Sequence, residues 1–146
     1  MTNPYNLERF VEAQNSGGTY GQALSELQLG NKSSHWMWFI FPQIAGLGSS
    51  PVSVKFAITS LAEAQAYLKH DVLGPRLLEC STAVATHTGR TAVDILGGID
   101  AKKLRSSMTL FLRAAPGETV FKTVLAQFFD GEPDPATDEL LAAARD

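Results

Sequence analysis

Residues 33–43 read SSHWMWFIFPQ, and this stretch holds both tryptophans and two of the eight phenylalanines of the chain. No aspartate, glutamate, lysine or arginine occurs between Ser33 and Val54. Because each large aromatic side chain buries about 150–250 Å², we predict that the stretch forms the centre of the core or the wall of a pocket cut into it. Ser34 as a cap and Pro42 as a terminator favour a short buried helix, and a buried strand is the alternative.

The whole chain has the composition of one globular domain spanning residues 1–146. Apolar residues make up 45% of it and charged residues 18%, so it can bury a sizeable core without disulfides. Its single cysteine, Cys80, excludes an internal disulfide. A net charge of −3 argues against binding to nucleic-acid backbones, because such proteins usually carry a clustered basic patch.

The sequence also argues against a membrane location. The N-terminus has no basic region followed by an apolar run, which a signal peptide would need. Pro42, Gly46, Gly48 and Pro51 interrupt the uncharged stretch, so it does not resemble a spanning helix. We therefore expect a cytoplasmic protein with no membrane partner, and the oligomeric state stays open.

Helical periodicity recurs along the chain. The clearest case is an i, i+1, i+4, i+5, i+8, i+9 stripe of apolar residues, formed by Val120, Phe121, Val124, Leu125, Phe128 and Phe129. No segment shows a convincing alternation of apolar and polar residues. We therefore predict a mostly α protein, a single compact multihelical domain of about seven or eight helices.

The histidines and the cysteine do not predict a metal or nucleophile site. His35, His70 and His87 are far apart in sequence and have no paired ligand spacing, so we expect no metal and no cofactor. Cys80 belongs to an apolar helical stripe, which is typical of a buried and inert thiol.

A glycine-rich turn at residues 46–51, GLGSSP, precedes a helix start. Small residues and free backbone amides at such a place suit an anion such as phosphate. The alternative is a plain glycine turn, which is common. The residues with a binding role in the first interpretation are Gly46, Gly48, Ser49 and Ser50.

The densest basic cluster reads KKLRSS from Lys102 onward. On a helix, Lys103, Ser106 and Ser107 share one face, whereas Lys102 and Arg105 share another. One interpretation is a phosphate clamp with hydroxyl donors beside it. The other is a solvated face next to an apolar one.

Glu63 also has two interpretations. As the third residue of a helix that Ser60 begins, it closes a capping box. As a carboxylate close to the aromatic wall, it would have a raised pKa and act as a general acid or base.

Several motifs resemble one known family, the domain-of-unknown-function family eighteen-ten. They are SHWMWFIFPQ at 34–43, LGPRL at 73–77 and KLRSSMTLF at 103–111, together with NLERFVEAQ at 6–14 and GEPDP at 131–135. The resemblance covers nearly the whole chain and implies no established activity. Members are sometimes labelled calpastatin, but calpastatin inhibitory segments are disordered and polar, whereas this composition can fold.

The family is in turn distantly similar to the YbiA-like (NADAR) proteins, small helical enzymes of ADP-ribose and N-glycosidic chemistry. That similarity implies a catalytic glutamate, for which Glu63 is the candidate, and a functional lysine, which is Lys55 or Lys103 here. It is an analogy at the level of the fold.

Two functions therefore remain open. The first is a nucleotide-like or ADP-ribose-type ligand binder, or an N-glycosidase-like hydrolase, in which Glu63 and Lys103 are catalytic. Its expected ligand-binding residues are His35, Trp36, Trp38, Gln43, Gly46, Gly48, Ser49, Ser50, Lys55, Arg105, Ser106 and Ser107. The second is a non-enzymatic helical module that binds another protein or self-associates. Whether the protein is an enzyme stays open.

Overall fold

α-Helices form nearly all the regular structure of the protein. A computed structural model describes residues 5–144, and ten α-helices occur in that range, with a 3₁₀ turn at Ser16–Gly18. The helices are α1 Glu8–Asn15, α2 Thr19–Leu29, α3 Met37–Ile40, α4 Pro51–Lys55, α5 Leu61–Lys69, α6 Leu73–Ala85, α7 Ala92–Leu96, α8 Gly98–Ala114, α9 Thr119–Phe129 and α10 Pro135–Ala144. The mostly α prediction is confirmed. The count is higher than the expected seven or eight, and three of the ten helices have only four or five residues.

The longest helix, α8, lies at the centre. It packs against α5, α7, α9 and α10, and every residue from Ser106 to Phe111 is buried. The middle of α8 is buried on all sides and therefore needs neighbours on all sides, which the shorter helices supply. Within residues 5–144 no helix combines the length and the apolar character that crossing a bilayer would require.

A chain of aromatic rings in edge-to-face or tilted contact joins four helices through the core. The ring of Tyr67 on α5 lies 5.1 Å from that of Phe10 on α1 and 5.3 Å from that of Phe111 on α8. Phe121 on α9 extends the chain, with its ring 5.9 Å from that of Phe111. Aromatic pairs at such separations stabilise a fold beyond the area they bury.

The aromatic stretch contains the short helix α3, as predicted, and its two tryptophans have different surroundings. The predicted cap is wrong, because α3 begins after Trp36 without a side-chain cap and the Ser34 hydroxyl donates to Glu26 instead. Trp36 is completely buried, so it belongs to the core. Trp38 is half-buried and lines a small cavity with Gly46 and Gly48. The two predicted surroundings, the centre of the core and the wall of a pocket, therefore both occur, at tryptophans that are two residues apart.

The loop after α3 is held by a single parallel β-bridge between Ile44 and Ile58. The Ile58 N–H donates to the Gln43 carbonyl at 2.9 Å, and the Ala45 N–H donates to the Ile58 carbonyl at 2.8 Å. These two bonds fix residues 43–45 against the segment that enters α5, so this loop is anchored at its base.

The buried carboxylate of Glu26 on α2 organises the approach to the aromatic stretch. Its Oε1 accepts from the Ser33 and Ser34 N–H groups at 2.8 and 3.0 Å and from the Trp36 indole N–H at 2.9 Å. Its Oε2 accepts from the Ser34 hydroxyl at 2.6 Å and from the Gln22 amide at 2.8 Å. Burial alone would raise the pKa of Glu26, but these donors lower it far below its usual range.

We predict that Glu26→Gln lowers the free energy of unfolding at pH 7 by about 3 kcal/mol, because an amide leaves buried donors unpaired. Glu26 has a lower pKa in the folded than in the unfolded chain. Its stabilising contribution is therefore complete above the unfolded pKa of about 4.3 and declines as the pH falls from there. Urea unfolding between pH 3 and 7 measures both effects.

The matched control is Glu139→Gln, because Glu139 is exposed on α10. We expect it to change stability by less than about 0.5 kcal/mol. If Glu26→Gln were as stable as this control, or had the wild-type dependence on pH, the assigned role of Glu26 would be wrong.

Candidate functional site

A surface groove of about 320 Å³ lies where α8, the loop after α3 and the start of α10 meet. We call it the lysine groove. Its lining residues are Gln43, Leu47, Gly48, Ser53, Ile99, Lys102, Lys103, Ser106, Asp134 and Ala136. It therefore joins two segments that the sequence singled out separately, the glycine turn and the basic cluster.

One wall of the lysine groove carries two ammonium groups from α8. Lys103 Nζ lies 3.5 Å from Asp100 Oδ1 and 5.0 Å from the centroid of the Trp38 ring. Its side chain is only 22% exposed, so the carboxylate and the ring restrict its position. Lys102 is exposed and makes no ion pair with any residue in the described range. Lys102 is consequently available to an anion.

The opposite wall comes from the glycine turn. A Cβ on Gly48 would lie 2.7 Å from the Ser53 Cβ, so only glycine lets the turn pass this close to α4. Ser50 caps α4 by accepting from the Ser53 N–H at 3.2 Å. The Gln43 side-chain amide, also on this wall, has no hydrogen-bond partner within residues 5–144.

The α10 end of the lysine groove contains a hydrogen-bonded chain of three side chains. Asp134 Oδ2 accepts from the Thr137 hydroxyl at 2.6 Å and from the Thr137 N–H at 3.2 Å, which caps α10. The Thr137 and Ser106 hydroxyl oxygens are 2.9 Å apart. In addition, the Asp134 N–H donates to the Thr109 hydroxyl at 2.8 Å, so this end of the groove is fixed to α8.

Two further cavities adjoin the lysine groove. A space of about 20 Å³, large enough only for water, shares Gln43, Gly48 and Ser53 with it and is bounded by Trp38 and Gly46. A larger cavity of about 530 Å³, here called the phenylalanine cavity, shares Lys102 and Asp134. Its other lining residues are Thr91, Ala92, Val93, Gly98, Ala101, Arg105, Phe128 and Phe129.

The structure brings six of the predicted site residues to one region. Gln43, Gly48, Lys103 and Ser106 line the lysine groove. Trp38 and Gly46 line the small space next to it. The aromatic stretch, the glycine turn and the basic cluster, which are distant in sequence, thus meet.

Glu63 lies elsewhere, buried beneath α1. Its Oε2 is 2.9 Å from Arg9 Nη2, and its Oε1 accepts from the Thr59 N–H at 2.9 Å and the Thr59 hydroxyl at 2.8 Å. The Ser60 hydroxyl accepts from the Glu63 N–H at 3.1 Å, which is one half of the predicted capping box. The Glu63 carboxylate accepts from Thr59 and Arg9, so it does not supply the other half. Glu63 lines neither the lysine groove nor the two cavities beside it.

Three other predicted residues are buried or are bound to other parts of the protein. Arg105 donates to the Glu132 and Pro133 carbonyls, each at 2.9 Å, and lines the phenylalanine cavity. Trp36 is bound to Glu26 in the core. Ser107 is completely buried on α8, and its hydroxyl has no partner among the described residues.

The remaining predicted residues are on the surface outside these cavities. His35, Ser49 and Ser50 are exposed. Lys55 is exposed as well, and its ammonium lies 5.2 Å from the centroid of the Phe56 ring. None of the four lines the lysine groove or an adjoining cavity.

The sequence interpretation missed Lys102, Ser53 and Asp134 as groove residues. It also missed the buried Thr137, which joins Asp134 to Ser106. Lys102 was recognised in the basic cluster, but a helical wheel does not show which face meets a loop. Asp134 and Thr137 carry a recognisable signal, since an aspartate before proline with threonine three residues later is typical of a capped helix start.

Other reactive groups do not add to the site. Within residues 5–144, no cluster of three or more histidine, cysteine or acidic side chains has the geometry to hold a metal ion. Burial raises the pKa of the Cys80 thiol to about 12, so this thiol is protonated at neutral pH and is a weak nucleophile.

For Glu63, we predict a measurable energetic coupling to Arg9. Glu63→Gln alone should destabilise the protein by about 3 kcal/mol, because it leaves a largely buried guanidinium without its carboxylate. A double-mutant cycle with Arg9→Met, measured by urea unfolding, should give a coupling energy of about 1–3 kcal/mol. Additive effects of the two substitutions would contradict the structural role of this pair.

Comparison with known proteins places the chain in a family. No curated protein matches it. Its fold matches the crystal structure of the conserved hypothetical protein Rv1873 from Mycobacterium tuberculosis with a TM-score of 0.92 and 50% sequence identity, over 96% of this chain and 99% of the other. The family model described as "Protein of unknown function (DUF1810)" matches residues 4–141. The chain therefore belongs to this family of proteins of unknown function.

Proposed function

We propose that the protein binds a small phosphate-bearing ligand, of the nucleotide-like class expected from the sequence, in the lysine groove. The observation that carries the proposal is the pairing of Lys102 and Lys103 on one wall with the turn at Gly48 and the unpaired amide of Gln43 on the other. Ammonium groups form strong, charge-assisted hydrogen bonds with phosphate oxygens.

The electrostatics of the groove support an anion. Asp100 balances part of the charge of Lys103, but its other oxygen lies 2.9 Å from Lys32 Nζ and is shared with that ammonium. Asp134 supplies one carboxylate at the α10 end. Lys102 remains without a counter-ion in the described range, so the α8 wall is locally positive although the chain has a net charge of −3.

The size and rigidity of the groove fit a small molecule. Its volume of about 320 Å³ falls at the lower end of the range of about 300–1,000 Å³ that is typical of ligand sites. Lys103 is held by Asp100 and Trp38, and the turn is held by the Ile44–Ile58 bridge. Side chains that are already ordered lose little entropy when a ligand binds.

The proposal is limited to binding. Cleavage of an N-glycosidic bond would need a carboxylate beside the bond, and Glu63 is engaged with Arg9 and Thr59 outside the groove. We assign Lys103 to ligand binding for the same reason. Trp38, whose ring already carries the Lys103 ammonium on one face, orients that ammonium.

A second function, association with another protein, is favoured by the apolar walls of the phenylalanine cavity. Phe128 and Phe129 line it half-buried, and Val93 beside them is 57% exposed. Ile99, on the lysine groove next to this cavity, is 76% exposed. Exposed apolar residues that cluster in this way are typical of interaction surfaces.

We predict that a phosphate-bearing ligand raises the melting temperature and that Lys102→Ala and Lys103→Ala reduce the shift. A ligand at 100 times its Kd adds about 2.7 kcal/mol of stability, and a tenfold loss of affinity removes about 1.4 kcal/mol of it. The measurement is a thermal-shift panel with inorganic phosphate, AMP, NAD and ADP-ribose. Higher salt should weaken binding in the wild type.

The matched control is Lys122→Ala, because Lys122 is exposed on α9 and lines none of these cavities. It should keep the full ligand-induced shift. If none of the four compounds shifted the wild type, or if Lys122→Ala lost as much as Lys102→Ala, the proposal would fail and association with another protein would become the leading function.

A further inference from the structure

The direction of the hydrogen bonds at the α10 end of the lysine groove determines what this end can recognise. Thr137 has one hydroxyl proton, and its oxygen lies 2.6 Å from a carboxylate oxygen of Asp134. An ionised carboxylate only accepts hydrogen bonds, so the Thr137 proton is donated to Asp134. The Thr137 oxygen must then accept the proton of Ser106, 2.9 Å away.

Ser106 consequently has no proton left for a ligand. Its own proton points toward Thr137, so the Ser106 hydroxyl, which belongs to a 2% exposed residue bordering the groove, can only accept a hydrogen bond from a ligand. Asp134, the other polar residue at this end, contributes a carboxylate. A phosphate group also consists of acceptors, so it is repelled here and is held by the lysines instead.

The groove therefore has two chemically opposite ends, and α8 contributes side chains to both. Lys102 and Lys103 precede Ser106 by four and three residues, which places their Cβ atoms about 5–6 Å from that of Ser106. A ligand that satisfies both ends has an anionic group and, a few bonds away, an O–H or N–H donor.

We propose that the lysine groove selects phosphate esters that carry a hydroxyl or amino donor near the phosphate, such as phosphorylated polyols and sugars. This inference rests on the proposed function, because the lysines must first bind the phosphate. Ser106 and Asp134 accept from the donor of the ligand, and they reject an ester that lacks one. Sites built to pair with a hydroxyl discriminate strongly against analogues without it.

The test compares sn-glycerol 3-phosphate with n-propyl phosphate, which has the same carbon chain and phosphate but no hydroxyl on the chain. Titrations of the ¹⁵N-labelled full-length protein, followed by two-dimensional NMR, give both Kd values. We expect glycerol 3-phosphate to bind at least about fivefold more tightly. Equal affinities would overturn this inference alone, whereas no binding of either ester would overturn the proposed function as well.

Two variants test the assigned direction of the hydrogen bonds. Thr137→Val removes the acceptor for the Ser106 proton, so that Ser106 can turn this proton toward the groove. Ser106→Ala removes the acceptor itself. In both variants we expect the preference for glycerol 3-phosphate to fall to about twofold or less. In Thr137→Val, propyl phosphate should bind as tightly as it binds to the wild type, or more tightly.

The matched control is Thr123→Val on α9, where the exposed threonine hydroxyl donates only to the Thr119 carbonyl. It should keep both affinities. If Thr137→Val fails to fold, Ser106→Ala alone tests the inference. A folded variant that keeps the full wild-type preference for glycerol 3-phosphate over propyl phosphate would overturn the inference.

Discussion

The contact between the Glu26 carboxylate and the Trp36 indole is the interaction on which the site depends. It fixes the start of the aromatic stretch, and the network continues to the surface through charges and rings. Lys32 Nζ lies 4.9 Å from the centroid of the Trp36 ring and 2.9 Å from Asp100. Asp100 in turn holds Lys103 over Trp38. A buried polar group is thus connected to Lys103 in the groove through three intervening side chains, and such networks stabilise a fold only when every member is paired.

The helical fold could be predicted from the sequence because its evidence is local. The 3.6-residue stripes at α8 and α9, the Ser50 and Ser60 caps and the proline in the first turn of α6 each depend on neighbours within one or two turns. The role of Glu26 could not be predicted in this way. Its donors lie up to ten residues away across a turn, and nothing in the periodicity of α2 distinguishes a buried carboxylate from a solvated one.

The site could be predicted only in part, because its residues meet through contacts between segments that are distant in sequence. The glycine turn and the basic cluster were each recognised, but their meeting depends on packing between α8 and the loop after α3. Glu63 was a reasonable catalytic candidate as long as its neighbours were unknown, and its contact with Arg9 joins residues 54 positions apart. Asp134 was overlooked because its importance comes from a hydrogen-bonded chain to Ser106, which spans 31 positions between Ser106 and Thr137.

The central claim is that the lysine groove is a ligand site, and mapping by NMR tests it most directly. The backbone amides of the ¹⁵N-labelled wild-type protein would be followed during titration with AMP. The account predicts saturable shifts concentrated at Gly48, Ser53, Lys102, Lys103 and Ser106, with few changes at the buried Glu63. Shifts concentrated on another face, or none at millimolar AMP, would contradict it.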